Sequence, residues 1–178
     1  MRWICWIEIQ GLYAATAREA GLAGSERPIA VLRGGRVFDG CREAFAAGLQ
    51  LGSPARQVLR DVPGAAVVEW ADVDAAARAR AFWDRCLART PYVEPVEPHQ
   101  VLLGLPLPDH PAQGKVSRRL QEEVRALAAA AASFGFAAFA GAGTSRLVAR
   151  AAAQALRAEF LERRPGTAPQ RLEGARVV

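Results

Sequence analysis

The chain has 178 residues, of which 51% are hydrophobic and 23% charged, and a formal net charge of +5. This length supports one domain with a substantial hydrophobic core. The sequence lacks 18 consecutive apolar residues and a signal-peptide pattern, which disfavours membrane insertion and secretion and predicts a cytoplasmic protein. Cys5, Cys41 and Cys86 form no paired motif, as is typical of reduced thiols. Lys115 is the only lysine, and the arginine excess suits phosphate contacts without establishing DNA as a ligand.

Apolar patterning and turn residues predict an alternation of short strands and helices. In chain order the predicted elements are a strand 3–9, a helix 13–20, strands 29–32 and 36–38, helices 42–47 and 54–61, a strand 66–70, a helix to 87, strands 93–96 and 101–105, a helix 116–132, a strand 136–140 and a helix 145–162. This order predicts an α+β fold, with a ferredoxin-like split βαβ sheet, its helices on one face, and an inserted small subdomain. The tail after Pro165 has no pattern and is expected to be loose.

Two segments carry a resemblance to a known family. The segment Glu8-Ile9-Gln10-Gly11-Leu12-Tyr13-Ala14 is similar to Asp-x-Asp-x-Phe-Tyr-Ala, and the segment His99 to Leu105 is similar to a strand that begins with Asp-Glu. Both motifs are found in the Y-family (translesion, DinB/UmuC-like) DNA polymerases. Further similar segments follow in the family's order at 27–31, 42–49, 52–58, 62–65 and 139–152. The resemblance implies a UmuC-like domain over residues 1–165, with a palm formed by 1–12 and 71–165, fingers formed by 13–70, and a loose tail over 166–178.

The resemblance also assigns a cleft whose chemistry has changed. Glu8 stands at the first metal-binding aspartate, while His99 and Gln100 stand where the family has a paired aspartate and glutamate. Two-metal phosphoryl transfer requires several anionic oxygens, so we expect no magnesium site, no catalytic residues and no cofactor. Glu8 and His99 together do not make a transition-metal site, because zinc needs three or four protein ligands and His110 lacks diagnostic spacing.

The nucleotide-binding positions of the family have changed as well. Tyr13 matches the aromatic residue that discriminates between sugars, and Arg150 matches a basic triphosphate contact. In the fingers, however, Arg42 replaces a tyrosine, and Phe45 replaces an arginine that grips the triphosphate. The resemblance therefore implies a vestigial nucleotide site formed by these four residues.

The resemblance implies an accessory role in DNA repair and translesion synthesis, similar to that of the inactive ImuB-type mutasome components. Expected partners are DNA and an active DNA polymerase or a RecA-like protein, whereas a sliding clamp is disfavoured because no clamp-binding peptide is present. Arg118, Arg119 and Arg146 are candidate DNA contacts, with a solvated helix face as the alternative. Two other functions stay open: a protein-interaction module that does not bind DNA, and a residual metal-dependent nucleotidyltransferase that uses Glu8.

Overall fold

The fold comprises a large and a small β-sheet with six α-helices in the part of the chain that the computed structural model describes, residues 3–24, 26–106, 118–162 and 173–177. The elements are β1 (Trp3–Gln10), α1 (Leu12–Glu19), β2 (Ile29–Arg33), β3 (Arg36–Gly40), α2 (Arg42–Ala46), α3 (Ala55–Asp61), β4 (Ala66–Glu69), a 3-10 turn (Trp70–Asp72), α4 (Ala76–Leu87), β5 (Tyr92–Glu97), β6 (Gln100–Leu105), α5 (Arg118–Ala132), β7 (Ala137–Gly143), α6 (Arg146–Glu162) and β8 (Glu173–Val177).

The large sheet is built around β1, in the order β5-β6-β1-β7-β8. Strand β1 is antiparallel to both β6 and β7, while β8 is parallel to β7. The alternation of strands and helices thus produces the predicted α+β architecture. The register pairs Glu8 with Gln100 on one side and with Phe139 on the other. Glu8 therefore lies at the middle of the sheet.

The side chains of β1 alternate between two apolar clusters on opposite faces of the large sheet. Trp3, Cys5 and Ile7 join the main core, to which α4 and α5 contribute. Ile4 and Trp6 point to the opposite face, where they pack in a second cluster with residues of α6. The expectation that all helices cover one face is therefore wrong, because α6 lies on the other. Alanine and glycine at the contact allow this close approach.

Helix α6 can lie so near the sheet because β7 carries glycine where the two elements meet. A Cβ added to Gly141 would lie 2.2 Å from the carbonyl oxygen of Ala149 and 2.4 Å from the amide nitrogen of Ala153. Such distances are far below van der Waals contact, so any side chain at this position would push the helix away. The helix in turn positions the side chains that cover Glu8.

The small sheet has the order β3-β2-β4 and is formed within residues 29–69. Its hairpin turns at Gly34 and Gly35, whose φ angles of 60° and 72° favour glycine, as the sequence predicts for this dipeptide. Strand β4 is parallel to β2, since α2 and α3 intervene between β3 and β4. Buried residues of both sheets belong to one continuous core.

The C-terminal tail differs from the prediction of a loose segment over 166–178. Glu173–Val177 forms β8, which extends the large sheet by pairing with β7, whereas 163–172 and 178 lie outside the described residues. The sequence Glu-Gly-Ala-Arg-Val lacks the dense β-branched content that marks a strand. Pairing with the exposed backbone edge of β7 therefore decides its conformation.

No described helix is both long enough and apolar enough to cross a membrane.

Candidate functional site: a cleft held by an internal cation

The cleft lies on the face of the large sheet that α6 covers. Glu8 and Gln10 follow Ile4 and Trp6 on the same side of β1, and each is only 2% exposed. A carboxylate and an amide in the middle of a sheet need polar partners, because their desolvation would otherwise cost several kcal/mol (roughly 2–7 for the amide alone). Those partners come from α6 and from the small sheet.

The partner of Glu8 is Arg157, on the last turns of α6. Its Nη1 lies 2.7 Å from Oε1 of Glu8, and its Nε donates to Oε1 of Gln10 at 3.1 Å. The Arg157 side chain is 25% exposed, so the guanidinium is largely withdrawn from water. Oε2 of Glu8 is buried without a hydrogen-bond partner among the described residues. The charge of Glu8 is thus balanced from within the chain.

The second carboxylate of the cleft is Asp39, on β3 of the small sheet. It accepts hydrogen bonds from the Gln10 side chain at 2.5 Å and from the backbone amides of Gly11 at 2.7 Å, Tyr13 at 2.9 Å and Ala14 at 3.3 Å. These amides lie at the start of α1, where backbone N–H groups lack helical partners. Burial raises the pKa of Asp39 to about 6, against the opposing effect of the backbone hydrogen bonds.

His99 closes the cleft between the two sheets. Its ring meets Tyr13 and Phe38 edge to face, with centroids 5.9 and 5.2 Å apart, and its carbonyl oxygen accepts a hydrogen bond from Ile9 at 2.9 Å. The side chain is 7% exposed, and Nδ1 has no hydrogen-bond partner among the described residues. Burial, with the charges of Arg157 and Arg33, lowers the pKa of His99 to about 4. The imidazole is therefore neutral at pH 7.

These side chains do not fit the pair of magnesium ions that two-metal chemistry requires. Among the described residues, no three of the His, Cys, Asp and Glu side chains are grouped so that they could hold a metal ion. Glu8 is paired with a guanidinium, and Asp39 is engaged by backbone amides. A divalent cation at Glu8 would meet the positive charge of Arg157 at close range. His110, considered as a metal ligand from the sequence, lies outside the described residues.

No protein-family model matches the sequence, and no curated protein is significantly similar to it. Solved structures do match. DinB from Sulfolobus solfataricus aligns with 99% of the chain at 14% identity and a TM-score of 0.63, and this alignment covers 48% of DinB. An insertion ternary complex of Dbh DNA polymerase aligns at 13% identity with a TM-score of 0.66, and a post-insertion binary complex of Dbh at 14% with a TM-score of 0.67, each over 99% of this chain and 48% of the other.

The chain has the fold of the palm and fingers of the Y-family DNA polymerases. It spans about half the length of the polymerases it matches. We call the large sheet with α4, α5 and α6 the palm, and the small sheet part of the fingers, by the division that the resemblance implies. The cleft described above lies where the two meet.

The sequence-predicted palm residues lie on β1 and at the start of β6, which are neighbouring strands. Glu8 and Gln100 are direct neighbours on adjacent strands, and His99 immediately precedes Gln100. Two cleft residues escaped the sequence analysis. Asp39 comes directly after the predicted end of a strand, and Arg157 is one of several arginines on its predicted helix. A signal for Arg157 was its helical spacing, since Ala149, Ala153 and Arg157 recur every fourth residue on one face.

The predicted nucleotide-binding residues lie in different surroundings and do not form one group. Tyr13 is buried against Phe38 and His99. Phe45 packs on Phe136, which continues into a row with Phe160 and Phe139. Arg42 is exposed at the start of α2.

Arg150 lies with its guanidinium 5.3 Å from the centre of the Trp6 ring, a cation–π contact. The arginine that contacts Glu8 is instead Arg157, two helical turns farther along α6. The basic side chain that contacts Glu8 is therefore Arg157, to which the resemblance assigned no role.

The three predicted DNA-contacting arginines do not form one patch. Arg118 pairs with Glu122 on α5 at 2.8 Å, and Arg119 is exposed beside it. Arg146 lies on α6, across the large sheet, and makes two hydrogen bonds to Glu94 at 2.9 and 2.6 Å. Arg146 and Glu94 also line a surface groove of about 700 Å³ beside β5 and β6. Whether any of the three arginines meets DNA stays a prediction.

Proposed function

We propose that this chain is a catalytically inactive protein of the Y-family polymerase fold, acting in the cytoplasm as an accessory in DNA repair and translesion synthesis. The observation that carries the proposal is the contact between Arg157 and Glu8, at 2.7 Å in the middle of the cleft. A fixed guanidinium at this point supplies internally the positive charge that metal ions would supply in a polymerase. Catalysis of nucleotide addition is then lost together with the metal.

The electrostatics of the cleft support this reading. Two Mg²⁺ ions bring four positive charges, which must be balanced by several carboxylate and phosphate oxygens. Here one of the two buried carboxylates faces a guanidinium, and the other accepts hydrogen bonds from three backbone amides. His99 and Gln100 add no negative charge. Binding of metal would require displacement of Arg157 from a largely buried ion pair, which is costly.

The fingers provide a second, independent support. Phe45 stands at the position where the family has an arginine that binds the triphosphate. Its ring centroid lies 5.7 Å from that of Phe136, so this position holds an apolar side chain packed on the palm. Phenylalanine offers neither a positive charge nor a hydrogen-bond donor to a phosphate oxygen. Nucleotide affinity should therefore be weak even apart from the metal.

The accessory role takes its support from the fold and the charge. Structures with this fold include a ternary complex and an insertion ternary complex of Dbh DNA polymerase. With a net charge of +5 the chain is suited to a partner that is polyanionic or presents an acidic surface. We propose DNA as one partner and an active DNA polymerase or a RecA-like protein, as in ImuB-type assemblies, as the other.

The deciding experiment is primer extension with Mg²⁺ and with Mn²⁺, using the intact chain, Glu8→Ala and the control Glu69→Ala, which removes an exposed carboxylate at the end of β4. We expect no nucleotide incorporation by any of the three. Incorporation by the intact chain and by Glu69→Ala that Glu8→Ala abolishes would overturn the inactive assignment and favour the residual nucleotidyltransferase.

A separate measurement tests the DNA partner. Binding to a primer–template duplex should weaken as salt is raised, with a slope of log K against log salt that counts the phosphate contacts. Absence of binding at low salt would leave the protein-interaction module as the function of the fold.

A further inference from the structure

Asp39 belongs to the small sheet, but much of its hydrogen bonding crosses to the palm. The residue lies on β3 and is 4% exposed, and its carboxylate accepts bonds from Gln10, Gly11, Tyr13 and Ala14. These donors are 25 to 29 residues away in sequence, at the junction between β1 and α1. One buried carboxylate thus satisfies four donors where the chain leaves β1 of the large sheet and enters α1.

The energetic weight of this contact follows from burial. Without an acceptor at this position, three backbone amides at the start of α1 and the amide of Gln10 would be left unsatisfied in a buried site. Each such group costs about 1–3 kcal/mol. The Gln10 side chain also accepts a bond from Arg157 at 3.1 Å, so the network continues from the small sheet through β1 to α6.

An ion pair also joins the small sheet to the palm, but it is weaker because it is exposed to water. The ion pair of Arg33 with Glu97 spans 3.7 Å, and both side chains are more than a third exposed. Exposed pairs contribute about 0–1 kcal/mol because water screens them. Phe38 packs on His99 from the same side, but ring contacts constrain orientation less than directed hydrogen bonds do.

We propose that Asp39 is a conformational latch that couples the small sheet to the palm. With its carboxylate in place, opening of the small sheet requires four buried hydrogen bonds to break together, so the two sheets open as one unit. Without it, the small sheet opens locally while the palm stays folded. Asp39 is a positioning residue in this role, and the inference does not depend on whether the chain is catalytically active.

The test is native-state amide hydrogen exchange followed by mass spectrometry on the intact chain, Asp39→Asn and Asp39→Ala. The control Asp61→Asn changes an aspartate on α3 whose carboxylate is 33% exposed and paired with Arg60. We expect exchange in β2 and β4 to become at least tenfold faster in both Asp39 variants. Exchange in β6 and β7 should change less than twofold, and Asp61→Asn should match the intact chain throughout.

Any one of three results would overturn the latch. Faster exchange confined to α1 would make Asp39 only a helix cap, and equal acceleration in both sheets would show that they open as one unit without it. If Asp39→Ala does not fold, Asp39→Asn decides the matter, because asparagine preserves the shape and retains one acceptor oxygen. Unchanged exchange in β2 and β4 of a folded Asp39→Asn would likewise refute the proposal.

Discussion

Replacing Arg157 with methionine removes the positive charge of the cleft while retaining most of the apolar stem. At about 4 Å between charge centres and an effective dielectric constant of about 20, the gross attraction within such a pair is about 4 kcal/mol. Removing one partner of a buried pair typically costs about 3–5 kcal/mol, because the other charge stays desolvated. Since a quarter of the Arg157 side chain is exposed, we expect the lower end, about 3 kcal/mol.

The assay is equilibrium unfolding in urea, followed by tryptophan fluorescence, for Arg157→Met, Glu8→Gln and the double variant. Glutamine leaves no buried charge, so the loss of Arg157 in that background should cost only about 1 kcal/mol. The double-mutant cycle should therefore give a coupling of about 2 kcal/mol. Arg150→Met is the matched control on the same helix, with an expected cost of at most about 1 kcal/mol for its contact with Trp6.

A loss below about 0.5 kcal/mol for Arg157→Met, or additive effects in the cycle, would show that Arg157 and Glu8 do not form a stabilising buried ion pair. Either result would mean that Glu8 is stabilised by solvent or by dissolved cations rather than by the guanidinium. The cleft would then be open to metal, and the argument for inactivity would lose its main support.

Two further predictions concern pH and packing. The pKa of His99 falls from 6.5 to about 4 on folding, so stability is lost as pH decreases through this range, whereas the pKa of Asp39 rises from 3.8 to about 6, so its contribution is lost as pH increases through about 6. The two trends oppose each other, so the His99→Phe variant is used to isolate the effect of His99. The free energy of unfolding in urea of His99→Phe minus that of the intact chain should be about 3 kcal/mol larger at pH 4 than at pH 7. A difference that does not change with pH would contradict the burial of His99. Gly141→Ala should cost at least about 3 kcal/mol, because its Cβ would collide with the α6 backbone, while Gly21→Ala, in open space, should cost only about 1; equal thermal shifts would mean that α6 does not lie against β7.

Local signals in the sequence were sufficient for most of the fold. The Gly34-Gly35 dipeptide requires a positive φ and so identifies a tight hairpin, and the alternation along residues 3–9 identifies β1. The same signals did not predict which face of the large sheet α6 covers. The residues of α6 that pack on the sheet are alanines, so the fit between small residues of α6 and Gly141 of β7 contributes to where the helix packs.

The cleft was only partly predictable, for a physical reason. Glu8, His99 and Gln100 could be identified because the resemblance aligns their segments with two motifs of the family, and β1 indeed pairs with β6 so that Glu8 lies opposite Gln100. Asp39 and Arg157 reach the same place from 29 and 147 residues away along the chain from Gln10. Their roles depend on tertiary contacts that leave no local pattern, and neither residue type is unusual at its position. β8 escaped prediction for the same reason, since its pairing partner determines it.

The proposed inactivity requires that the cleft contains its own cation and does not take up a metal ion. Electron paramagnetic resonance of Mn²⁺, titrated into the intact chain and into Glu8→Gln, measures uptake of the metal from the free Mn²⁺ that remains. We expect the same free Mn²⁺ for both proteins at every concentration. A stoichiometric loss of free Mn²⁺ with the intact chain, absent with Glu8→Gln, would contradict it.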